Sequence, residues 1–376
     1  MHLVLFFTYG MTLKRWERAG ILRRESAFYI KLAEKGVKVT FVTYGDAGEY
    51  EYQEKLPGIT ILPLYGYVRR PRSALIRFLN SFHIAETVSE HIEECDVLKT
   101  NQLWGGWLAL GVKRTLNKPL LLRCGFERYS SELTRNAPFL RRKLTWFISR
   151  KLYRSADKIL LPSESDAEFV RKKFKIKNEK IVIYPNFIDT DIFYPEEKTE
   201  EKKCGRILYV GRLESVKNLN LLIKAAHKAG TGLDIYGKGS QKKELGELAA
   251  EIGADVKFFD PLPNTELPEV YRKYGIFVLP SVFEGSPKVI LEAMACGLAV
   301  IASDIPGSSA IIRNGENGIL VSADEKSLSD AIQRVSADCV LRTKLGKNAA
   351  ETIRKKYSMN RALERELDII NDAAGI

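Results

Sequence analysis

The chain has 376 residues, 45% of them apolar and 28% charged, which is ordinary globular composition with length for two domains. That composition and the lack of low-complexity tracts exclude a disordered chain, and the longest apolar runs (residues 3–8 and 276–280) fall far short of the roughly 18 residues a membrane-crossing helix needs. The net charge of +12 is the unusual figure: residues 101–158 alone hold 13 Lys and Arg against 3 Asp and Glu, a patch that attracts nucleic acid, an anionic membrane or a phosphorylated ligand.

Residues 2–8 read as an apolar strand, and residues 20–34 have helical spacing through Ile21, Phe28, Tyr29 and Leu32 before Gly36 stops the pattern. A second strand of β-branched and aromatic residues covers 37–44. Further strands are expected at 59–62, 97–100, 120–123, 159–161 and 180–184, with helices over 74–93 and 141–155 among them. Ser163 with Asp166 three residues on reads as the cap of another helix. Strand–helix alternation with few hairpin signals predicts a parallel sheet covered on both faces.

A charged Glu-Lys run around Pro195 marks a linker over 187–203, so a first domain of 1–186 is expected, followed by a second of 204–358. There the alternation restarts: strands at 207–210, 233–236, 256–259, 276–279 and 299–302, and helices at 219–228 and 242–252. Tyr357-Ser358 sets off an amphipathic terminal helix from 359, giving a last segment of 359–376. Two α/β domains of similar size predict a ligand in the cleft between them, beyond the C-terminal ends of the strands.

The five cysteines, Cys95, Cys124, Cys204, Cys296 and Cys339, are scattered with no C-x-x-C pair, which argues for a reducing, cytoplasmic setting and against a disulfide framework or zinc site. Apolar residues begin at Leu3 with no basic residue before them, and Lys14, Arg15 and Arg18 follow, the reverse of a secretory leader's order.

Two phosphate signatures fail on inspection. Gly232 to Lys238 has P-loop spacing, but Gly239 stands where a Ser or Thr would hold magnesium, and the residues between are an apolar strand. Gly237-Lys238-Gly239 lacks the third glycine of a dinucleotide fingerprint, since Lys242 occupies that place. ATPase and dehydrogenase readings are set aside, and these glycines are expected to form a tight turn after a strand.

More informative is Phe283-Glu284-Gly285-Ser286-Pro287-Lys288, running on through Glu292 to Gly297. Ser286 as N-cap and Pro287 at the first helical position predict a helix start. Its backbone N–H groups would offer an anion site, and Gly285 would permit close approach of a ligand. Taken singly, Glu284 reads better as a loop charge and Glu292 as a solvated helix residue; together they flank the helix end in a way that suits a ligand with both phosphate and hydroxyl groups. A second constellation, Gly211-Arg212-Leu213 to Lys217-Asn218, places two cations just after a strand, where a diphosphate would be neutralised. Two surface cations in a loop are the plainer alternative.

Taken together, the E-x7-E pair within EGSPKVILEAMACG, the G-R-L…K-N loop and Tyr184-Pro185-Asn186-Phe187-Ile188-Asp189…Phe193-Tyr194-Pro195 resemble glycosyltransferase family 4, the retaining nucleotide-sugar transferases. The resemblance is specific over about 180–360 and weaker before it, where it rests on strand order and the Gly10 loop. It implies an α/β GT-B fold: two Rossmann-like, doubly wound parallel-sheet domains facing a cleft, the first on the acceptor side and the second binding the donor, with the C-terminal helix crossing back to the first. It further implies that Arg212 and Lys217 bind the diphosphate, that Glu284 contacts donor-sugar hydroxyls, that Glu292 accepts from the ribose, and that Gly285, Ser286, Pro287, Lys288 and Gly10 line the donor. Fixed cations and N–H dipoles would stabilise the leaving group without a metal or other cofactor. Asp189-Thr190-Asp191 has the form of a D-x-D metal motif but falls in the linker, away from the donor residues.

In one place the sequence departs from the family. After the strand at 120–123, where many members carry a histidine, this chain has Arg123-Cys124-Gly125, so Arg123 adds charge toward the donor phosphate, helps hold the acceptor, or is a strand-end surface residue. Asn101 and Gln102, after the preceding strand, are expected to face a sugar or the acceptor.

The basic stretch 135–154 interleaves Arg135, Arg141, Arg142, Lys143, Arg150, Lys151 and Arg154 with Phe139, Leu140, Trp146, Phe147 and Leu152. It reads either as an interfacial contact with an anionic membrane, which would suit a lipid-linked acceptor and a peripheral place at the inner membrane face, or as a solvated face over packed Trp146 and Phe147. Nucleic-acid partners fit poorly, because no recognised binding motif accompanies the charge. The reading as a whole is a metal-independent retaining glycosyltransferase acting on a glycan or lipid-linked hydroxyl in cell-surface polysaccharide or glycolipid synthesis. Its alternatives are a nucleotide-sugar epimerase, a glycan phosphorylase (for which no pyridoxal-lysine motif is visible) and an inactive module that binds a nucleotide sugar or a partner.

Overall fold

In the computed structural model, which describes residues 1–125, 127–134, 136–196 and 205–376, the chain divides into two compact units. One is Met1–Pro185 with Leu363–Ile376, the other Asn186–Ala362. Each is built on a single parallel sheet, as the strand–helix alternation requires.

The first sheet has seven strands: β1 (His2–Phe6), β2 (Lys38–Thr43), β3 (Ile59–Pro63), β4 (Val97–Thr100), β5 (Leu120–Arg123), β6 (Lys158–Leu161) and β7 (Ile181–Ile183). Their order is β3-β2-β1-β4-β5-β6-β7. Every residue of β1 is buried, which is why it reads as an unbroken apolar run instead of alternating. Phe6 pairs with Val42 on one side and Thr100 on the other, so the loops leaving β1 and β4 emerge side by side. The strand order reverses at that pair.

The second sheet has six strands: β8 (Arg206–Val210), β9 (Gly232–Tyr236), β10 (Val256–Phe259), β11 (Ile276–Leu279), β12 (Ala299–Ser303) and β13 (Ile319–Val321), in the order β10-β9-β8-β11-β12-β13. Its core joins Leu208, Ile235, Phe277 and Val300 to Leu222, Ile290 and Ile332 from the covering helices, all fully buried. The order here reverses between β8 and β11. Ligands in open α/β sheets sit beyond the strands' C-terminal ends at such a reversal, so each unit has one place where a site is expected.

Several elements differ from the sequence expectation. The helix expected over 20–34 is preceded by a separate one, Leu13–Arg18, and begins at Leu22; Gly20, at φ +67°, turns the chain between them. The helix expected over 74–93 is two, Ala74–Asn80 and Ala85–Glu90. Ser81 breaks it: its hydroxyl donates to the Phe78 carbonyl and accepts from the Trp107 indole, both bonds pulling the backbone inward. Two helices not expected at all, Glu325–Ala337 and Cys339–Lys356, are capped by the carboxylates of Asp324 and Asp338.

The expected linker is partly packed structure. Asp189 closes a turn, its carboxylate accepting from the Asp191 N–H and its carbonyl from Phe193, whose ring is buried in the second core. Residues 197–203 of that linker, Cys204 and Arg135 lie outside the described residues. The helix Met359–Ala374 starts in the second unit, and its residues from Leu363 belong to the first. Among the described residues no helix is long and apolar enough to cross a membrane.

Candidate functional site

The reversal point of the second sheet gathers the two sequence constellations. The loop after β8 carries Arg212 and Lys217, and the loop after β11 carries Glu284. The two loops are tied through backbone, the Val282 N–H donating to the Val216 carbonyl at 3.0 Å. Lys217 Nζ then meets Glu284 Oε1 at 2.5 Å, with both side chains close to nine-tenths buried. Ser281 Oγ donates to the same carboxylate oxygen at 2.6 Å, fixing its rotamer. Arg212 is exposed, and its carbonyl is held by the Tyr209 hydroxyl at 3.0 Å. The spacing in sequence could not show that Lys217 and Glu284, 67 residues apart, form an ion pair.

Glycines explain how the β8 loop keeps its place. A Cβ on Gly237 would stand 1.9 Å from the Gly211 carbonyl oxygen, and one on Gly239 would stand 2.3 Å from that of Leu213. The turn after β9 therefore lies directly against the backbone of the β8 loop, bonded by Leu213 N–H to the Lys238 carbonyl at 3.0 Å. This is the part the failed phosphate signatures play here.

The helix after β11 runs Lys288–Ala295, one residue later than expected. Pro287 takes the cap position and no side chain caps it, so Ser286 is not the N-cap. An N-terminus left without a side-chain cap keeps its dipole end and N–H donors for water or an anion. The turn before it is positioned by Asn186, whose Nδ2 donates to the Ser286 carbonyl at 2.9 Å, and by Gly307, where a Cβ would meet the Glu284 carbonyl at 2.4 Å. Gly285, Ser286 and Lys288 are half-buried, and Pro287 is buried.

Glu292 is not a solvated helix residue: it is 3% exposed and accepts from the Tyr271 hydroxyl at 2.9 Å and from Asn264 Nδ2 at 3.5 Å. Burial, with the Glu292 charge beside it, raises the Tyr271 pKa well above a phenol's usual value, so this hydroxyl stays a donor.

The residues expected in the first unit stand at its own reversal point. Gly10, at φ +75°, turns the loop after β1, and its carbonyl accepts from Arg15 Nη1 at 2.6 Å. Asn101 follows β4 with its N–H on the Phe6 carbonyl at 2.8 Å, and Gln102 Oε1 accepts from the Gly125 N–H at 3.0 Å, tying the β4 loop to the β5 loop.

Arg123, at the end of β5, is half-buried. Its guanidinium lies 5.6 Å from the centre of the Tyr184 ring, in a buried cluster with Tyr29, Lys99 and Glu366. Lys99 and Glu366 form an ion pair with no exposure on either side chain, and burial lowers the Lys99 pKa to about 8. Sequence reasoning missed this cluster; its signal was a glutamate within the apolar stripe of Leu363, Ile369 and Ile370.

The basic stretch forms the helix Phe139–Ser155. Its inner face is Ile148, Ser149, Leu152 and Tyr153, with Trp146 packed at the edge of the core. Phe147, expected inside on the solvated-face reading, is instead 61% exposed, and Phe139 and Leu140 are 67% and 78% exposed.

Comparison with known proteins bears on both units. The family described as Glycosyltransferase Family 4 matches residues 28–192, and that described as Glycosyl transferases group 1 matches residues 191–352. The N-acetylgalactosamine-N,N'-diacetylbacillosaminyl-diphospho-undecaprenol 4-alpha-N-acetylgalactosaminyltransferase of Campylobacter jejuni is 34% identical over 56% of this chain and 59% of its own length. A D-inositol 3-phosphate glycosyltransferase of Acidothermus cellulolyticus is 28% identical over 58% of this chain and 54% of its own length. The chain thus spans less than two thirds of these two relatives, whereas an uncharacterized glycosyltransferase of Haemophilus influenzae aligns over 77% of this chain and 78% of its own at 28% identity. Among solved structures, sucrose-phosphate synthase of Thermosynechococcus elongatus has a TM-score of 0.79 at 21% identity, covering 99% of this chain and 98% of that one. Anabaena HepE in complex with UDP and glucose has a TM-score of 0.75 at 15% identity, covering 99% and 100%. At such identities the likeness shows the fold, which is GT-B. With the two family matches meeting at residue 191 and together taking in residues 28–352, the chain belongs to the group 1 glycosyltransferases of glycosyltransferase family 4.

Proposed function

We propose that the chain transfers a sugar from a nucleotide-diphosphate donor to a hydroxyl of a glycan or lipid-linked acceptor, with retention at the anomeric carbon and without a metal ion or other cofactor. The observation that carries this reading is the Lys217–Glu284 pair at the β8/β11 reversal, with Arg212 on the same loop as Lys217 and the helix start at Lys288 following the Glu284 loop. The glycosidic C–O bond to the donor phosphate breaks and one to the acceptor oxygen forms. The charge that appears on the departing diphosphate is met by Arg212, Lys217 and the N–H groups of Gly285, Ser286 and Lys288, with Pro287, which has no N–H, shaping the turn between them.

Glu284, already bonded to Lys217 and Ser281, serves as an acceptor for sugar hydroxyls and not as a nucleophile. The acceptor proton then leaves on the donor phosphate oxygen. Glu292, held in place by the Tyr271 hydroxyl, takes the ribose hydroxyls. In the first unit, Gly10 and Arg123 contribute to donor binding, Arg123 by holding the β5 end in place, while Asn101 and Gln102 meet the acceptor.

The lipid-linked acceptor finds support in the Campylobacter relative, whose name specifies transfer onto a diphospho-undecaprenol-linked sugar. The exposed Phe139, Leu140 and Phe147 on a basic helix support peripheral contact with an anionic membrane, and with it a part in cell-surface polysaccharide or glycolipid synthesis.

A panel of nucleotide sugars tests the reading, with released nucleotide diphosphate and glycosylated acceptor as readouts. Lys217→Ala and Glu292→Ala are expected to weaken calorimetric binding of the active donor by about tenfold or more, the loss of a charge-assisted contact. Unchanged affinity in both variants refutes the site. Donor binding without turnover on any acceptor favours a binding module.

A further inference from the structure

A groove of about 540 Å³ in the first unit lies apart from both reversal points. The helices Arg128–Thr134, Phe139–Ser155 and Glu164–Phe174 wall it, and its lining includes Arg142, Lys143, Lys172 and Lys173 with Tyr129 and Trp146. Lys173 Nζ stands 5.5 Å from the centre of the Tyr129 ring. Among the described residues, Lys172 alone of the four cations has an ion pair, with Glu168 on the exposed side. Phe139 lines the groove's edge and is 67% exposed.

We propose that this groove binds a multiply charged phosphate, a phosphomonoester or diphosphate, carried as the headgroup of a lipid whose apolar chain lies against Phe139. Four cations lining one recess exceed what a singly charged phosphodiester needs, and the exposed Phe139 distinguishes a lipid from a free anion. The inference deepens the membrane reading above: that reading needs only a basic surface, whereas this one needs a built pocket extending to Lys172 and Lys173, beyond the basic helix itself.

The test is sedimentation with phosphatidylcholine vesicles containing either phosphatidate or phosphatidylglycerol at matched surface charge, alongside calorimetry with inorganic pyrophosphate. The wild type is expected to bind phosphatidate vesicles about tenfold more tightly than phosphatidylglycerol ones. The pair Lys143→Gln/Lys173→Gln brings that ratio to about one. The pair Lys151→Gln/Arg154→Gln removes the same charge outside the groove, so it weakens both vesicle types and keeps the ratio. Circular dichroism checks that both pairs fold. Loss of pyrophosphate binding in the groove pair, without phosphatidate selectivity, retains the phosphate site but assigns it a free ligand and overturns the lipid. A wild type with no phosphatidate preference, and pyrophosphate affinity equal in both pairs, overturns the proposal. Binding to phosphatidylglycerol vesicles in that case leaves the membrane reading standing alone.

Discussion

Glu366→Gln removes the counter-charge of a lysine that has no exposure to water. Losing one partner of a buried pair typically costs about 3–5 kcal/mol. Here the penalty is capped, because Lys99 can give up its proton. With Glu366 present burial already lowers its pKa to about 8, so shedding the proton at pH 7 costs about 1.4 kcal/mol. The carboxylate also accepts a hydrogen bond from Tyr184, worth about 1 kcal/mol more. The expected loss at pH 7 is therefore about 2–3 kcal/mol.

The cap has a signature. Below pH 8 the wild-type native state holds the Lys99 proton, while the variant's native state does not and its unfolded state does. The variant's stability thus falls by about 1.4 kcal/mol per pH unit on acidification, with no matching fall in the wild type. Urea unfolding of the full chain at pH 6, 7 and 8 measures this directly. The double variant Lys99→Met/Glu366→Leu removes both members of the pair, leaving Arg123 against the Tyr184 ring, and is expected to be more stable than Glu366→Gln. A pH-independent difference between wild type and Glu366→Gln, or a double variant weaker than the single, refutes the reasoning.

Gly237→Ala drives a methyl group into the Gly211 carbonyl and is expected to cost about 2 kcal/mol or more and to weaken donor binding through the displaced β8 loop. Gly246→Ala, in the helix Lys242–Glu251 with open space at its Cβ position, is expected to raise stability by up to about 1 kcal/mol, and thermal melts separate the two. Burial pushes the Glu127 pKa up to about 7, so between about pH 4.5 and 7 the native state keeps a proton that the unfolded state has lost, and wild-type stability falls as pH rises through that window. Glu127→Gln should therefore gain on the wild type between pH 5 and pH 8, and a constant difference in urea midpoint between those pH values contradicts the assignment.

The central strands of the parallel sheets were readable because they are buried on both faces: Val97–Thr100 and Ile276–Leu279, buried at every position, stand where they were expected. Strand β13 was not readable: its three residues are half-buried and too few for a periodic signal. The helix break at Ser81 depends on Trp107, 26 residues away, which no local pattern registers. At the candidate site the residue types and their loops were legible, since glycine, proline and charge after an apolar strand have local physical meaning. The pairing of Lys217 with Glu284, the burial of Glu292 against Tyr271 and the inward turn of Arg123 were not, because each depends on which strands become neighbours.

The Lys217–Glu284 pair makes the site self-neutralised when empty. A bare anion drawn to Lys217 comes up against the Glu284 carboxylate, so at that pair inorganic phosphate meets repulsion together with attraction. A ligand that brings hydroxyl donors alongside its phosphates satisfies both members at once. On the function proposed above, selection for a sugar joined to a diphosphate, over either fragment alone, would follow from two side chains that hold each other in check before any ligand arrives.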